Sequence, residues 1–311
     1  MTPSPPGGYS NTRVTGCQLQ LQLVTIATVL IILFGQVPPN SGQYSKEAPL
    51  ACRAKYAKFN GNHTACLRPN GCKITHWGVS KAEQRKIVEV HNHYRNLIAS
   101  GNETQLGFPS ASNMLKMEWD PELAYVAQMH ANQCKFEHDC YDCRRTDRYE
   151  FVGQNLYIYQ TTRSSAEIQW PYVIKEWYDE IQIAPPAVAQ SFDLFNLNIG
   201  HFTQIAWATT NRIGCGYVTY DTSGSGDDES NSIFKTAQLY TCNYAPGGNF
   251  LGEKMYEDGN AASRCPARYR RSKRFTSLCE IARANSKNTN NGGQRPNKKA
   301  NKNKNKNKKN S

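Results

Sequence analysis

The chain has 311 residues, with 37 Lys+Arg against 25 Asp+Glu and a formal net charge of +12. That balance invites a nucleic-acid reading, but residues 264–311 hold 16 Lys+Arg and a single acid, Glu280, whereas residues 1–263 hold 21 Lys+Arg and 24 acids. A basic globular nucleic-acid binder is therefore disfavoured for the body of the chain, whose length fits one large domain or two small ones.

Residues 24–34 form an apolar run of 11, with Arg13 upstream and Pro38, Pro39 and Gly42 downstream. A signal-peptide core needs about 7–15 apolar residues and a membrane span about 20. The run therefore reads as a signal region within 1–42, cleaved somewhere in 35–45; the alternative is an uncleaved anchor. Cys17 would leave with it. Ten of the 11 cysteines then remain, an even set that argues for five disulfides in an oxidising compartment. The rival for Cys140-Tyr-Asp-Cys143 is structural zinc, but there is no second C-x-x-C. Asn62-His-Thr64 and Asn102-Glu-Thr104 are N-glycosylation sequons, as expected of a secreted glycoprotein.

Residues 46–79 are polar, with three cysteines, and read as a stapled N-terminal loop region. Ser80 and Glu83 form a capping box opening a helix. Ile87, Val90, His91, Tyr94, Leu97 and Ile98 fall on one face of it, and Gly101 ends it. Asp120-Pro121 opens a second helix, with Leu123, Val126, Ala127, His130, Ala131 and Cys134 as its stripe. A third runs near Ser165–Ile181. Strand-like pieces are Asn155–Tyr159, Gly216–Tyr220 and Thr236–Tyr244, the last two flanking a flexible turn at Asp221–Ser232. Trp119, Tyr125, Trp170, Tyr172, Trp177 and Trp207 read as core aromatics. Helices first and a late hairpin argue for an α+β arrangement. From 285 onward the chain is nearly all Asn, Lys and Gly and is expected to be disordered.

Four segments resemble signatures of the CAP superfamily (cysteine-rich secretory proteins, antigen five, pathogenesis-related proteins), specifically its insect venom-allergen antigen-five-like branch. They are His91-Asn-His-Tyr-Arg95, Gly153-Gln-Asn-Leu156, Gly200-His-Phe-Thr-Gln-Ile-Ala-Trp207 and Cys242-Asn-Tyr-Ala-Pro-Gly-Gly-Asn249. Their order and spacing make the match specific from about Cys52 to Gly259. The resemblance implies a CAP-type α-β-α sandwich, a central antiparallel sheet between helical layers. It assigns 80–262 to the CAP (SCP) domain, after the 46–79 extension. It also implies the disulfides Cys215–Cys242, Cys72–Cys134 and Cys52–Cys66. Tyr56 stands where the family usually has another cysteine, whose usual partner sits near Cys140 and Cys143; this departure from the pattern leaves the pairing of those two open, with a mutual Cys140–Cys143 bridge as the expectation. Cys265–Cys279 would be an extra bridge in a basic extension, 263–284.

The family's cleft carries two histidines and two acids. Carried over, these fall on His138, Gln154, Glu180 and His201, a set that could hold zinc through its imidazoles; no cofactor is required. Gln154 replaces one acid, and an amide cannot act as a general base. The resemblance thus points to a secreted, extracellular, non-enzymatic protein. It would bind small hydrophobic ligands (fatty acids, eicosanoids, sterols), amines or host proteins. Two alternatives stand beside it: a zinc-dependent extracellular hydrolase using His138, His201 and Glu180, and a structural protein tethered to polyanions by its tail. Arg271-Ser-Lys-Arg274 resembles a furin-type processing site, with the cut after Arg274. Lys298–Lys309, in the 285–311 tail, is expected to bind heparin-like glycans or other acidic surfaces through counterion release.

Overall fold

The computed structural model describes residues 54–165, 167–193, 198–223 and 233–282. The signal region 1–42 with Cys17, Cys52 and its bridge to Cys66, most of the 221–232 turn, and the Lys298–Lys309 run of the 285–311 tail lie outside the described residues.

A five-stranded sheet forms the centre. Its main path runs β1 (Lys73–Trp77), β4 (Arg212–Asp221), β5 (Thr236–Ala245), β3 (Gly153–Thr161), with all neighbours antiparallel. The two-residue β2 (Glu118–Trp119) pairs in parallel with the start of β4, on the edge β4 shares with β1. Around the sheet lie α1 (Lys81–Ser100), α2 (Pro121–Ala131), α3 (Trp170–Asp179) and α4 (Gly200–Ala206). A small hairpin of β6 (Tyr269–Arg271) and β7 (Cys279–Ile281) follows.

Side chains alternate across a strand with a period of two, and β4 shows what that achieves. Ile213, Cys215 and Tyr217 enter the main core with Ile87 and Ile98 of α1, Trp170 and Trp177 of α3, and Phe202 of α4. Gly214 and Gly216 face α2. A Cβ at Gly214 would lie 2.1 Å from the Ala124 nitrogen, and one at Gly216 would lie 2.3 Å from Gln128 Cα. Only glycine allows this backbone-to-backbone approach. Because α2 covers one face and α1, α3 and α4 the other, β5 is buried along its whole length. This is the α-β-α sandwich.

Local signals fix the helix starts. Ser80 and Glu83 close the capping box reciprocally, and Gly101 ends α1 at φ 84°. Asp120 Oδ1 accepts from the amides of Glu122 and Leu123 at 2.9 and 3.1 Å. The third helix is shorter than its expected span of 165–181. Pro171 belongs in a first turn, so α3 starts at Trp170, and a 3-10 turn, Glu180–Gln182, succeeds it. The region read as a stapled loop contains β1, an edge strand held by its pairing with β4 through a register break between Ile74 and His76. The hairpin strands also extend past the 216–220 and 236–244 expectations.

The buried face of α1 is rotated from the expected stripe. Its buried residues are Ile87, His91, Asn92, Arg95, Ile98 and Ala99. Arg95 is fully enclosed and meets only carbonyls. Nε and Nη2 donate to Leu115 O (2.9 and 2.5 Å), and Nη1 donates to Ile205 O and Trp207 O (2.6 and 2.8 Å). Nη2 also donates to Ala208 O and Thr210 O (3.1 and 2.9 Å). Burial pushes this guanidinium down to about 9. His91 spans Ile87 O (2.8 Å) and the Tyr244 hydroxyl (2.9 Å), and burial pushes it down to about 4. Asn92 exchanges two hydrogen bonds with the Met117 backbone, at 2.9 and 2.8 Å.

Four disulfides join described residues: Cys72–Cys134, Cys140–Cys143, Cys215–Cys242 and Cys265–Cys279. Asn62 and Asn102 are both exposed. No described helix is long and apolar enough to cross a membrane.

Candidate functional site

Two hollows concern function. The first is a cleft of about 640 Å³ to which His138, Gln154, Glu180 and His201 all contribute. Each comes from a different part of the fold. His138 lies in the loop after α2, Gln154 on β3, Glu180 in the 3-10 turn after α3, and His201 in the first turn of α4. The strand and helix ends thus bring together residues far apart in the chain.

The four work as two pairs. His138 Nδ1 donates to Gln154 Oε1 at 2.9 Å, and Gln154 Nε2 donates to Asn243 Oδ1 at 3.2 Å. His138 is exposed at the mouth of the cleft. Even so, loss of water to the cleft walls is the largest influence on its ring and holds its pKa below the ordinary value; the Gln154 bond opposes this and nearby Arg144 adds to it. The ring is therefore neutral at pH 7. His201 Nδ1 donates to Glu180 Oε1 at 2.6 Å. Glu180 Oε2 accepts from the backbone amides of His201 (2.9 Å) and Phe202 (3.0 Å), so the carboxylate also caps α4. The His201 ring stacks on Trp177 at 5.9 Å between centroids.

This arrangement sorts the candidate metal ligands. Both imidazoles have Nδ1 engaged, so each has only Nε2 left for a ligand. Glu180 has both oxygens engaged and Gln154 both ends of its amide; these two orient the histidines. Among the described residues no group of three or more His, Cys, Asp or Glu is placed to hold a metal ion. The donors fit zinc only as a two-imidazole pair, fewer than the three protein ligands of catalytic zinc sites. Around the rim, Asp139 and Arg144 pair at 2.7 Å, and Arg144 Nε holds Val152 O at 2.7 Å. The Cys140–Cys143 bridge closes the 3-10 turn Tyr141–Cys143 beside them.

The second hollow is a groove of about 920 Å³ between β3, β5 and α3. Tyr157, Tyr159, Tyr172 and Tyr240 line it with Val173, and Arg163 and Glu167 stand at its edge. Tyr157 pairs across the sheet with Tyr240, and their rings meet at 6.2 Å. Tyr157 also meets Tyr172 edge-on at 6.4 Å. Tyr172 was expected in the core but is 46% exposed in this groove, because it lies on the face of α3 turned from Trp170 and Trp177. The alternation of Tyr157 and Tyr159 on β3 was the one available signal for the groove.

The family model of the cysteine-rich secretory protein family, CAP, matches residues 88–244. The chain is 40% identical over 218 residues to "CRISP/Allergen/PR-1" of Trittame loki, covering 69% of this chain and 51% of that protein. It is 37% identical over 242 residues to "Venom allergen 5" of Tityus serrulatus, covering 74% and 55%. It thus spans about half the length of these two relatives. It is also 37% identical over 216 residues to "Venom allergen 5" of Vespula maculifrons, covering 66% of this chain and 98% of that one. Among solved structures, BmVAL-1 superposes with a TM-score of 0.54 at 25% identity, covering 67% and 98%. Na-ASP-1 superposes with a TM-score of 0.50 at 26% identity, covering 65% and 48%. In sequence signatures, layered fold and similarity over about two thirds of its length alike, the chain belongs to the CAP family and is of the venom-allergen type.

Proposed function

We propose that the protein is released to the extracellular space and acts there by binding rather than by turnover. One observation carries this reading: among the described residues lining the cleft, each carboxylate is already held, Asp139 by Arg144 and the Thr64 hydroxyl. Glu180 is held by His201 and two amides, and Gln154 stands where a second acid would be needed. A hydrolase needs a base within reach of the water it deprotonates. The venom origin stated in the names of its relatives supports secretion.

The tyrosine groove is the ligand site in this reading. Tyr157, Tyr159 and Tyr172 offer ring faces with hydroxyl tips over the buried Tyr240, suited to a fatty acid, an eicosanoid, a sterol or an aromatic amine. Native mass spectrometry of the secreted protein is the test. It should show a co-purified small ligand that is lost in Tyr172→Ala. Metal-dependent peptidase activity in the wild type that disappears in His201→Ala would overturn the non-enzymatic reading.

A further inference from the structure

The basic run read as a processing site is a folded surface. Arg264, Arg268, Arg270, Arg271, Lys273 and Arg274 are all exposed, and Glu280 is the only acid within 259–282. Their backbone is pinned. Arg270 and Arg271 pair with Glu280 and Cys279 across the β6–β7 hairpin. Cys265–Cys279 closes its base. Cys279 exchanges backbone hydrogen bonds with Met114 and Lys116, each 2.8 Å. Ser272 is buried, with its amide on Leu278 O at 2.8 Å and its hydroxyl on Glu280 at 2.9 Å. Phe275, just past Arg274, packs against the main core beside the fully buried Leu278. The hairpin fixes the course of this stretch and presents the cationic heads to solvent.

The acids nearby are already engaged. Glu280 lies 3.5 Å from Arg270 and 3.6 Å from Lys116, and Arg274 holds Glu89 of α1 at 2.7 Å. Exposed Arg85 and Lys86 sit one turn before Glu89 and extend the strip onto the helix. No bond or ion pair of the Arg268 or Lys273 side chain is recorded among the described residues. We infer that this hairpin is a binding surface for a sulfated polysaccharide chain. Guanidinium groups match sulfate oxygens in pairs, as they match carboxylate and phosphate. Among the described residues of the hairpin, Ile281 is the only large apolar side chain counted as exposed. Tyr269, whose hydroxyl accepts from Asn211, and Phe275, packed against the core, are only partly exposed, so the strip offers little ring surface for bases and one apolar residue for a bilayer.

Heparin affinity of the full-length chain tests this. One variant replaces Lys287, Arg295, Lys298, Lys299, Lys302, Lys304, Lys306, Lys308 and Lys309 with Gln, so that tail and hairpin are separated. It should stay bound at about 0.15 M NaCl. Adding Arg268→Gln, Arg271→Gln and Lys273→Gln should abolish that retention. In the otherwise wild-type chain the triple change should lower the slope of log Kd against log salt by about 2–3. Arg268→Gln/Lys273→Gln alone, which disturbs no recorded contact, should lower it by about 2 with an unchanged melting temperature. The proposal falls if the hairpin variants elute at the wild-type salt, if the tail variant flows through, or if desulfated heparin, duplex DNA or acidic vesicles bind as tightly as heparin.

Discussion

The carbonyl clamp beneath α1 and the open cleft use the same chemical vocabulary in opposite settings. In the clamp, Arg95, His91 and Asn92 are fully enclosed, and every partner but the Tyr244 hydroxyl is backbone. In the cleft, His138 and His201 each keep one nitrogen toward solvent, while Gln154 and Glu180 hold the other. A signature such as His91-Asn-x-x-Arg95 looks catalytic on paper, yet its residues bind the protein's own chain. Polar groups in this fold are first a means of satisfying irregular backbone, and only those left with a free atom at a cavity are candidates for ligands.

The largest break in this contrast is expected from Arg95→Met. It would leave carbonyls of Leu115, Ile205, Trp207, Ala208 and Thr210 without their donor, and should cost roughly 3–5 kcal/mol in urea unfolding. A loss below about 1 kcal/mol would show that water replaces the guanidinium. Next comes acid. The folded-state pKa of His91 lies near 4, below the ordinary 6.5, so the unfolded chain takes up the proton first. His91 therefore contributes stability that is complete above pH 6.5 and lost as pH falls toward 4, on the order of 3 kcal/mol in all. His91→Gln should flatten that part of the stability–pH curve; an unchanged curve would assign the dependence elsewhere.

The cleft should respond more mildly. Glu180→Ala removes the cap of α4 and should cost about 1–2 kcal/mol in thermal unfolding. By freeing the His201 ring it should also weaken any zinc binding seen calorimetrically by about tenfold or more. His201→Ala should change stability by less than about 1 kcal/mol. A larger drop would place His201 with the clamp as a structural residue, and the contrast between the two regions would vanish.

What the residues disclose by themselves follows how local the physics is. Ser80 and Glu83, or Asp120 and Pro121, announce helix starts because the groups they satisfy lie within one turn. β1 was invisible because only β4, some 140 residues away in sequence, makes Lys73–Trp77 a strand. Hydrophobic periodicity assigns an arginine to solvent, so Arg95 was missed; its acceptors come from segments up to 115 positions along the chain. The four cleft residues have no spacing rule and became legible only through resemblance to a family. The groove fell between these cases: its tyrosines alternate on β3 as a strand face should, but nothing local says that a helix leaves that face half open.

Arg95 also ties together stretches that secondary structure leaves separate. The carbonyls it holds belong to the segment before β2, the end of α4 and the turn leading into β4. None can swing out while the guanidinium stays, and the guanidinium cannot leave for one without deserting all. Amide protons in these segments should therefore exchange with solvent at one common rate, as a single opening unit that includes a loop and a turn. A turn that exchanges as slowly as a core strand would be the dynamic signature of a charge placed where the hydrophobic pattern allows none.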